Sequence, residues 1–491
     1  MFKSSPLQFA VALTLLAAGS LTSHAQDAGA LVDKLVKKGV LSSQEGEEVR
    51  ADMMRDFATQ TPAGKINLNS SITELKLYGD LRLRYQYDNK DDQRPRADST
   101  PAGGNRNDSQ RSRYRFRLRL NADFKLGDSF FGGVELASAQ ASDSGNQTFQ
   151  DGFSDYSIFI SKAYLGWNVT DYATVLAGKF GNPFYTTDLV WDNDINPTGL
   201  AQSIAFHKMH FGGGAAAAGY SKDGKSHAPA EVLAVPNWEL TLNAGQFIYD
   251  DNPESAFDND SSTDAFIFQT QLVAAYKFNN GVKFTIAPGW FYTNAAAYSG
   301  FENENSFVDA GAGTNVKAIS GAGREMNVLL LPGDVSFMLG GVKTKFLWDL
   351  AWNLNGEDRA NNVLSLTSVD ANGNVASQHS DEDDFAFLVG VQLGENKKQG
   401  DWSALANYRQ TGIAAVDPNL NDSDFALSEM NTRGFKLSLA YNFTDFAVGA
   451  VTYFYAWNLR DDLTAGQSTF GQSLGDSNVI QVLQVDFSIK F

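Results

Sequence analysis

Residues Leu75–Asp88 read LKLYGDLRLRYQYD, and the alternation in that stretch decides the fold class. Leu75, Leu77, Leu81, Leu83, Tyr85 and Tyr87 hold the odd positions, while Lys76, Asp80, Arg82, Arg84 and Gln86 hold the even ones. Successive side chains of a strand point to opposite faces, so this segment carries one greasy face and one charged face. Arg113–Lys125 repeats the pattern, with Tyr114, Phe116, Leu118, Leu120 and Phe124 against Arg113, Arg115, Arg117, Arg119 and Asp123. The closing residues do so again: Val479, Leu483, Val485, Phe487, Ile489 and Phe491 face away from Gln484, Asp486, Ser488 and Lys490. Further strands are predicted near 130–141, 156–169, 172–180, 200–211, 237–249, 264–278, 281–294, 324–336, 341–354, 383–394, 401–411, 432–443 and 446–458.

These strands run to about 13 residues, longer than the 5 or 6 usual in soluble sandwiches and long enough to cross a bilayer at a tilt. Tight turns at Leu126–Ser129, Thr170-Asp171, Asn279–Gly281, Gly394–Gly400 and Thr444-Asp445 alternate with long polar loops, as in outer-membrane barrels. Aromatics such as Trp290, Tyr292, Trp348, Trp352, Trp402, Tyr441 and Phe443 gather at strand ends, where interfacial girdles belong. The expected fold is all-β: a transmembrane antiparallel β-barrel over 75–491 of about sixteen strands, an even number that returns both ends to one side. The stretch HFGGGAAAAGYSKDG within 200–236 is ambiguous and leaves fourteen or eighteen open.

The rest of the chain bounds the alternatives. In 491 residues with a formal charge of -18, the basic residues are scattered, whereas nucleic-acid binding needs a clustered basic face. The chain has no Cys, which excludes a thiol nucleophile and a disulfide scaffold and suits an oxidising compartment. Lys3, the apolar run Leu7–Ala18 and Ser23-His24-Ala25 form a signal peptide over 1–25, too short to span a bilayer. Residues 26–60 are expected to make a short periplasmic helical hairpin, with Ser42 and Glu45 as a capping box and Gly39 as the break. Residues 61–74 serve as a linker.

Strand one (LYGDLRLRYQYD), RSRYRFRLRL, AGKFGNPFYTTDLVWDNDINPTGLA and SDF…NTRGFKLSLAYNF resemble the bacterial "putative porin" family, relatives of the general sixteen-stranded porins. The helical leader VDKLVKKGVLSSQEGEEVRADM shares the likeness. The resemblance implies a water-filled outer-membrane channel for passive diffusion of small hydrophilic solutes, set in lipid and lipopolysaccharide. It also implies a homotrimer, with small-residue contacts at Gly132-Gly133 and Gly178–Gly181, and it makes Gly181–Leu200 the loop that folds into the lumen. Phe491, with Phe487 and Ile489, looks like the signal read by the barrel assembly machinery.

With the apolar faces on lipid, Arg82, Arg84, Arg113, Arg115, Arg117, Arg119 and Lys179 line the lumen, since a charge on the lipid face costs ~2 to 4 kcal/mol at the midplane. Asp188, Asp192 and Asp194 of the in-folded loop would face them across water and set up a transverse field. The bland alternative leaves that loop outside and pairs the arginines with Asp80 and Asp123. No nucleophile motif accompanies His207, His210, His227 or His379, so neither an enzyme, a cofactor nor a metal site is expected. His207-x-x-His210 would place its imidazoles on opposite faces of a strand, and Asp258-x-Asp260-x-x-x-Asp264 lacks the closing Glu and the turn Gly of a calcium loop. Acidic loops at Asp250-Asp251, Asp381–Asp384, Asp422 and Asp424 are candidates for divalent ions bridging lipopolysaccharide. The competing function is an envelope-anchoring barrel that conducts little.

Overall fold

A computed structural model describes residues 36–38, 42, 45, 47, 49, 69–92, 109–139, 144–149, 151–153, 155–209, 237–250, 265–294, 325–367, 379–428, 430–460 and 478–491. It divides into two units, Met1–Ser70 and Ser71–Phe491. In the first, Ser42 and Glu45 make the capping contacts expected of them, Ser42 N and Oγ each lying 2.8 Å from Glu45 Oε2. The few described residues there do not establish a helical hairpin, and the signal peptide expected over 1–25 lies outside the described residues.

The second unit is a closed antiparallel sheet. Its sixteen strands are β1 (Ile72–Asp92), β2 (Ser109–Leu126), β3 (Phe130–Ala137 with Gln147–Thr148), β4 (Phe159–Thr170), β5 (Ala173–Lys179), β6 (Thr198–Ala205), β7 (Trp238–Asp250) and β8 (Ala265–Lys277), then β9 (Lys283–Ile286 with Gly289–Thr293), β10 (Met326–Leu330 with Gly333–Leu339), β11 (Val342–Asn353), β12 (Phe385–Gly394), β13 (Trp402–Thr411), β14 (Thr432–Asn442), β15 (Ala447–Asn458) and β16 (Asn478–Lys490). Strands β9 and β10 are interrupted at Pro288 and Pro332, which have no N–H to give to the ladder. Strand β6 lies before the ambiguous glycine and alanine run, which settles the count. Strand β1 opens at Ile72 and so takes in the last three residues of the expected linker.

Closure is made by β1 on β16, in register from Asp80 opposite Lys490 to Asp92 opposite Asn478. Phe491 finishes the seam: Gly79 N–H donates to its carbonyl at 2.8 Å, and its own N–H donates to Gly79 O at 3.0 Å. Leu77, Leu83, Leu165, Phe346, Leu439 and Val451 are exposed on the outer face. Phe130, Trp167, Trp238, Trp402 and Tyr441 sit by the rim of short turns, and Phe268, Trp290, Trp352 and Tyr455 near the opposite one, which makes two aromatic belts. Gly132 and Gly133 lie close to Phe124, Asp123 and Tyr164, so small residues there already have a reason inside the chain.

Deleting Phe491 removes both terminal hydrogen bonds of the seam. The truncated chain is expected to yield less heat-modifiable barrel, read as the band shift between unboiled and boiled samples in detergent gels. An unchanged folded fraction would show that the seam holds without it.

Candidate functional site in the lumen

The loop 180–197, between β5 and β6, turns inward. Gly178 and Gly199 face each other at its root with φ of +114° and +148°, and a Cβ on either would stand 2.4 or 2.2 Å from a neighbouring carbonyl oxygen. These glycines are therefore needed within the sheet. Phe180, Phe184 and Trp191 each stack edge-on against Phe247, with ring centroids 6.1 Å away. Phe247 is an apolar residue on the inner face of β7, buried while its neighbour Ile248 is exposed outside. It anchors the loop to the wall.

From that anchor the loop crosses to the far side. Tyr185 N–H donates to Gln271 of β8 at 2.8 Å, and its hydroxyl donates to Asp334 of β10. Thr187 Oγ1 donates to Asp349 of β11 at 2.7 Å. Asp188 pairs with Lys436 of β14, and Arg409 of β13 donates to its carbonyl at 3.2 Å. The loop then returns: Asp194 lies 3.4 Å from Arg117, and Asn196 donates to Ser161 of β4 at 2.9 Å.

A second loop, 412–431 between β13 and β14, is also folded in, with Ile413, Val416, Leu420 and Phe425 buried. The two loops are joined through their backbones. Asp192 N–H donates to Leu420 O at 2.6 Å, and Asp422 N–H to Asp188 O at 3.1 Å. Tyr249 of β7 donates to Asp417 at 2.7 Å, and the Arg409 guanidinium lies 3.6 Å over the Phe425 ring.

The ladder on β1 and β2 is unevenly neutralised. Arg84 makes a bidentate bond to Asp486 of β16 at 2.7 and 2.9 Å and reaches Asp424 at 3.2 Å. Arg113 pairs with Asp88; Arg117 and Arg119 share Asp80 at 3.0 and 2.7 Å. Asp123 is bonded instead to the Tyr78 hydroxyl at 2.8 Å. Arg82, Arg115 and Lys179 have only neutral partners among the described residues. Arg82 donates to Asn146 Oδ1 at 2.7 Å, Arg115 to Gln86 at 3.0 Å and Ser144 at 3.1 Å, and Lys179 to Asn196 O at 2.8 Å. Of the three loop acids, only Asp194 contacts a ladder arginine; outside their own loop, the partners of Asp188 and Asp192 are on β13, β14 and the second loop.

A match to the sequence profile described as "Putative porin" covers residues 32–317 and 341–491. The chain belongs to this family. It is a porin-type barrel channel of the outer membrane. No curated protein matches it by sequence. Solved structures it resembles include OprB of Pseudomonas putida at high pH, with 12% identity over 84% of this chain and 94% of that one and a TM-score of 0.43. Another is OmpF of Salmonella typhi in complex with daunomycin, with 11% identity, 86% and 99% coverage and a TM-score of 0.41. A third is the outer-membrane channel DcaP of Acinetobacter baumannii, with 13% identity, 87% and 100% coverage and a TM-score of 0.40. Likenesses at these scores decide nothing further about this chain.

Several acids of this porin stand elsewhere than on exposed loops. Asp422 and Asp424 belong to the in-folded loop beside Lys436 and Arg84, and buried Asp383 pairs with Arg460 at 2.6 Å, so none of the three is placed to bridge lipopolysaccharide. Asp258, Asp260 and His210 lie outside the described residues. His207 sits in a short turn, Phe206–Lys208, and its Nδ1 takes the Leu240 N–H at 3.2 Å. The sequence pattern did not single out Tyr185, Asp334, Asp349, Arg409 or Lys436. The only available signal was polar character at inner-face positions of their strands or, for Tyr185, of the crossing loop.

Burial, then the nearby Asp422, pushes the Asp192 carboxyl up to about 8. Burial likewise raises Asp422, to about 6, against the pull of Lys436. At Asp188 burial acts upward too, but Lys436 and Arg409 outweigh it and hold the carboxyl below its usual range. An acid whose pKa is raised by packing binds its proton more tightly in the packed state. The contribution of these two carboxyls to the loop contact is therefore fully present below about pH 4, is lost as pH climbs towards 8, and levels off above that. Asp188 does not change charge in that window. Hydrogen exchange at the Asp192 and Asp422 amides, corrected for intrinsic rates, is expected to speed up between pH 6 and pH 9, and to do so less in Asp192→Asn. Equal acceleration in that variant would remove Asp192 from the account.

Proposed function

We propose that the protein is a diffusion porin, passing small hydrophilic solutes through a constriction formed by the ladder wall and the two in-folded loops. The observation that carries this reading is the uneven neutralisation of the inner face. Arg82, Arg115 and Lys179, held only by neutral groups, leave positive potential on the β1, β2 and β5 side. On the opposite wall Asp334 of β10, held by Tyr185, Ser336 and a Lys345 3.7 Å away, supplies a carboxylate. A field between the two walls orients dipolar solutes and disfavours greasy ones with no chemical step. Export by the signal peptide 1–25, insertion by the barrel assembly machinery through Phe487, Ile489 and Phe491, and a homotrimer complete the proposal.

Planar-bilayer recording tests it. Stable open steps are expected, and silence would favour an envelope-anchoring barrel. In a low-salt gradient, Arg82→Gln with Arg115→Gln shifts the reversal potential towards cations. Asp194→Asn shifts it towards anions by removing a carboxylate beside Arg117, which keeps Asp80, while Asp192→Asn has little effect at neutral pH, where that carboxyl is largely protonated. Each shift shrinks as salt rises, because charges are screened beyond ~10 Å at 0.1 M. Identical reversal potentials in wild type and the arginine double variant would overturn the constriction.

A further inference from the structure

A cavity of about 130 Å³ lies between the wall and the returning end of loop 180–197, far more than one water requires. Five charged side chains line it: Arg119 of β2, Glu135 of β3, Lys162 of β4, Lys179 of β5 and Asp194 of the loop. Four of them are already matched. Glu135 holds Lys162 at 3.0 Å, Asp80 holds Arg119 at 2.7 Å, and Asp194 takes Arg117 at 3.4 Å and the Gly145 N–H at 3.1 Å. Lys179 differs. Its ammonium has three donors, one of which goes to Asn196 O at 2.8 Å, and no carboxylate lies within ion-pair distance among the described residues.

The cavity thus holds one unmatched positive charge with donors to spare. Phe159 and Ala137 add apolar lining. A second negative charge would find no free cation there, since Arg119 and Lys162 are already matched. Those features select a solute with a single carboxylate and a small hydrocarbon part. We propose that this cavity is a subsite for a small organic monocarboxylate whose charge is held by Lys179. The proposal deepens the diffusion reading above by naming a solute class, and its role in transport rests on that reading.

The test uses the full-length protein in detergent at low salt, titrated calorimetrically with benzoate, benzamide and inorganic phosphate, followed by bilayer recording with benzoate present. Benzoate is expected to bind and to reduce chloride current, with benzamide and phosphate much weaker. Lys179→Gln should weaken benzoate about tenfold or more, the scale of one lost charge-assisted hydrogen bond, and Lys179→Arg should restore most of it. Heat-modifiability of each variant checks that the barrel is folded. Benzoate binding that is absent, matched by benzamide or phosphate, or indifferent to Lys179→Gln overturns the subsite, even where open steps uphold the channel. A silent bilayer alongside lysine-dependent benzoate binding overturns the channel and leaves the subsite standing.

Discussion

Hydrocarbon offers no partner to a backbone N–H or C=O, so a sheet that crosses a membrane has to pair its first strand with its last. Here that pairing is the long seam of β1 on β16, finished by the two hydrogen bonds between Gly79 and Phe491. Closing the sheet fixes which face each alternate residue takes. It sends every arginine of β1 and β2 inward, and the polar interior follows from it.

A polar interior brings its own constraint, because charges drawn together away from bulk water must be matched or hydrogen-bonded. Arg84 meets this with Asp486 across the seam and Asp424 from the second loop, while Lys436 serves Asp188 and Asp422 from both loops at once. Removing one partner of such a buried set strands the others, so these contacts specify where the loops lie more than they add net stability. Apolar anchoring supplies the rest, through Phe247 under the first loop and Phe425 against Phe454 under the second.

The strands were legible because a barrel writes its two environments into a period-two pattern that each short segment shows on its own. LKLYGDLRLRYQYD, RSRYRFRLRL and the closing strand carry it, and all sixteen expected strands are present with shifts at their ends of up to six residues, the largest where the strand expected over 200–211 gives way to a turn after Ala205. The four segments that carry the family likeness, far apart in the chain, come together in one place. Asp194 meets Arg117, and Asp424 meets Arg84. The family likeness implies an in-folded loop at 181–200; nothing in the sequence marks a second at 412–431, because Asp422 and Asp424 read as ordinary acids of an exposed loop.

By itself, then, the sequence determined the closed barrel, its strand count to within two and the inward direction of the ladder, since alternation and strand length are local properties. Which of those cations keep their charge unmatched was decided only by tertiary structure. Arg84 and Arg82 are two residues apart on one face of β1, yet one is bound by two carboxylates and the other by an amide. Asp486 and Asp424, which make that difference, come from the far end of the chain and from a folded loop. Periodicity places a side chain on a face; only closure of the sheet and packing of the loops place another chain segment opposite it.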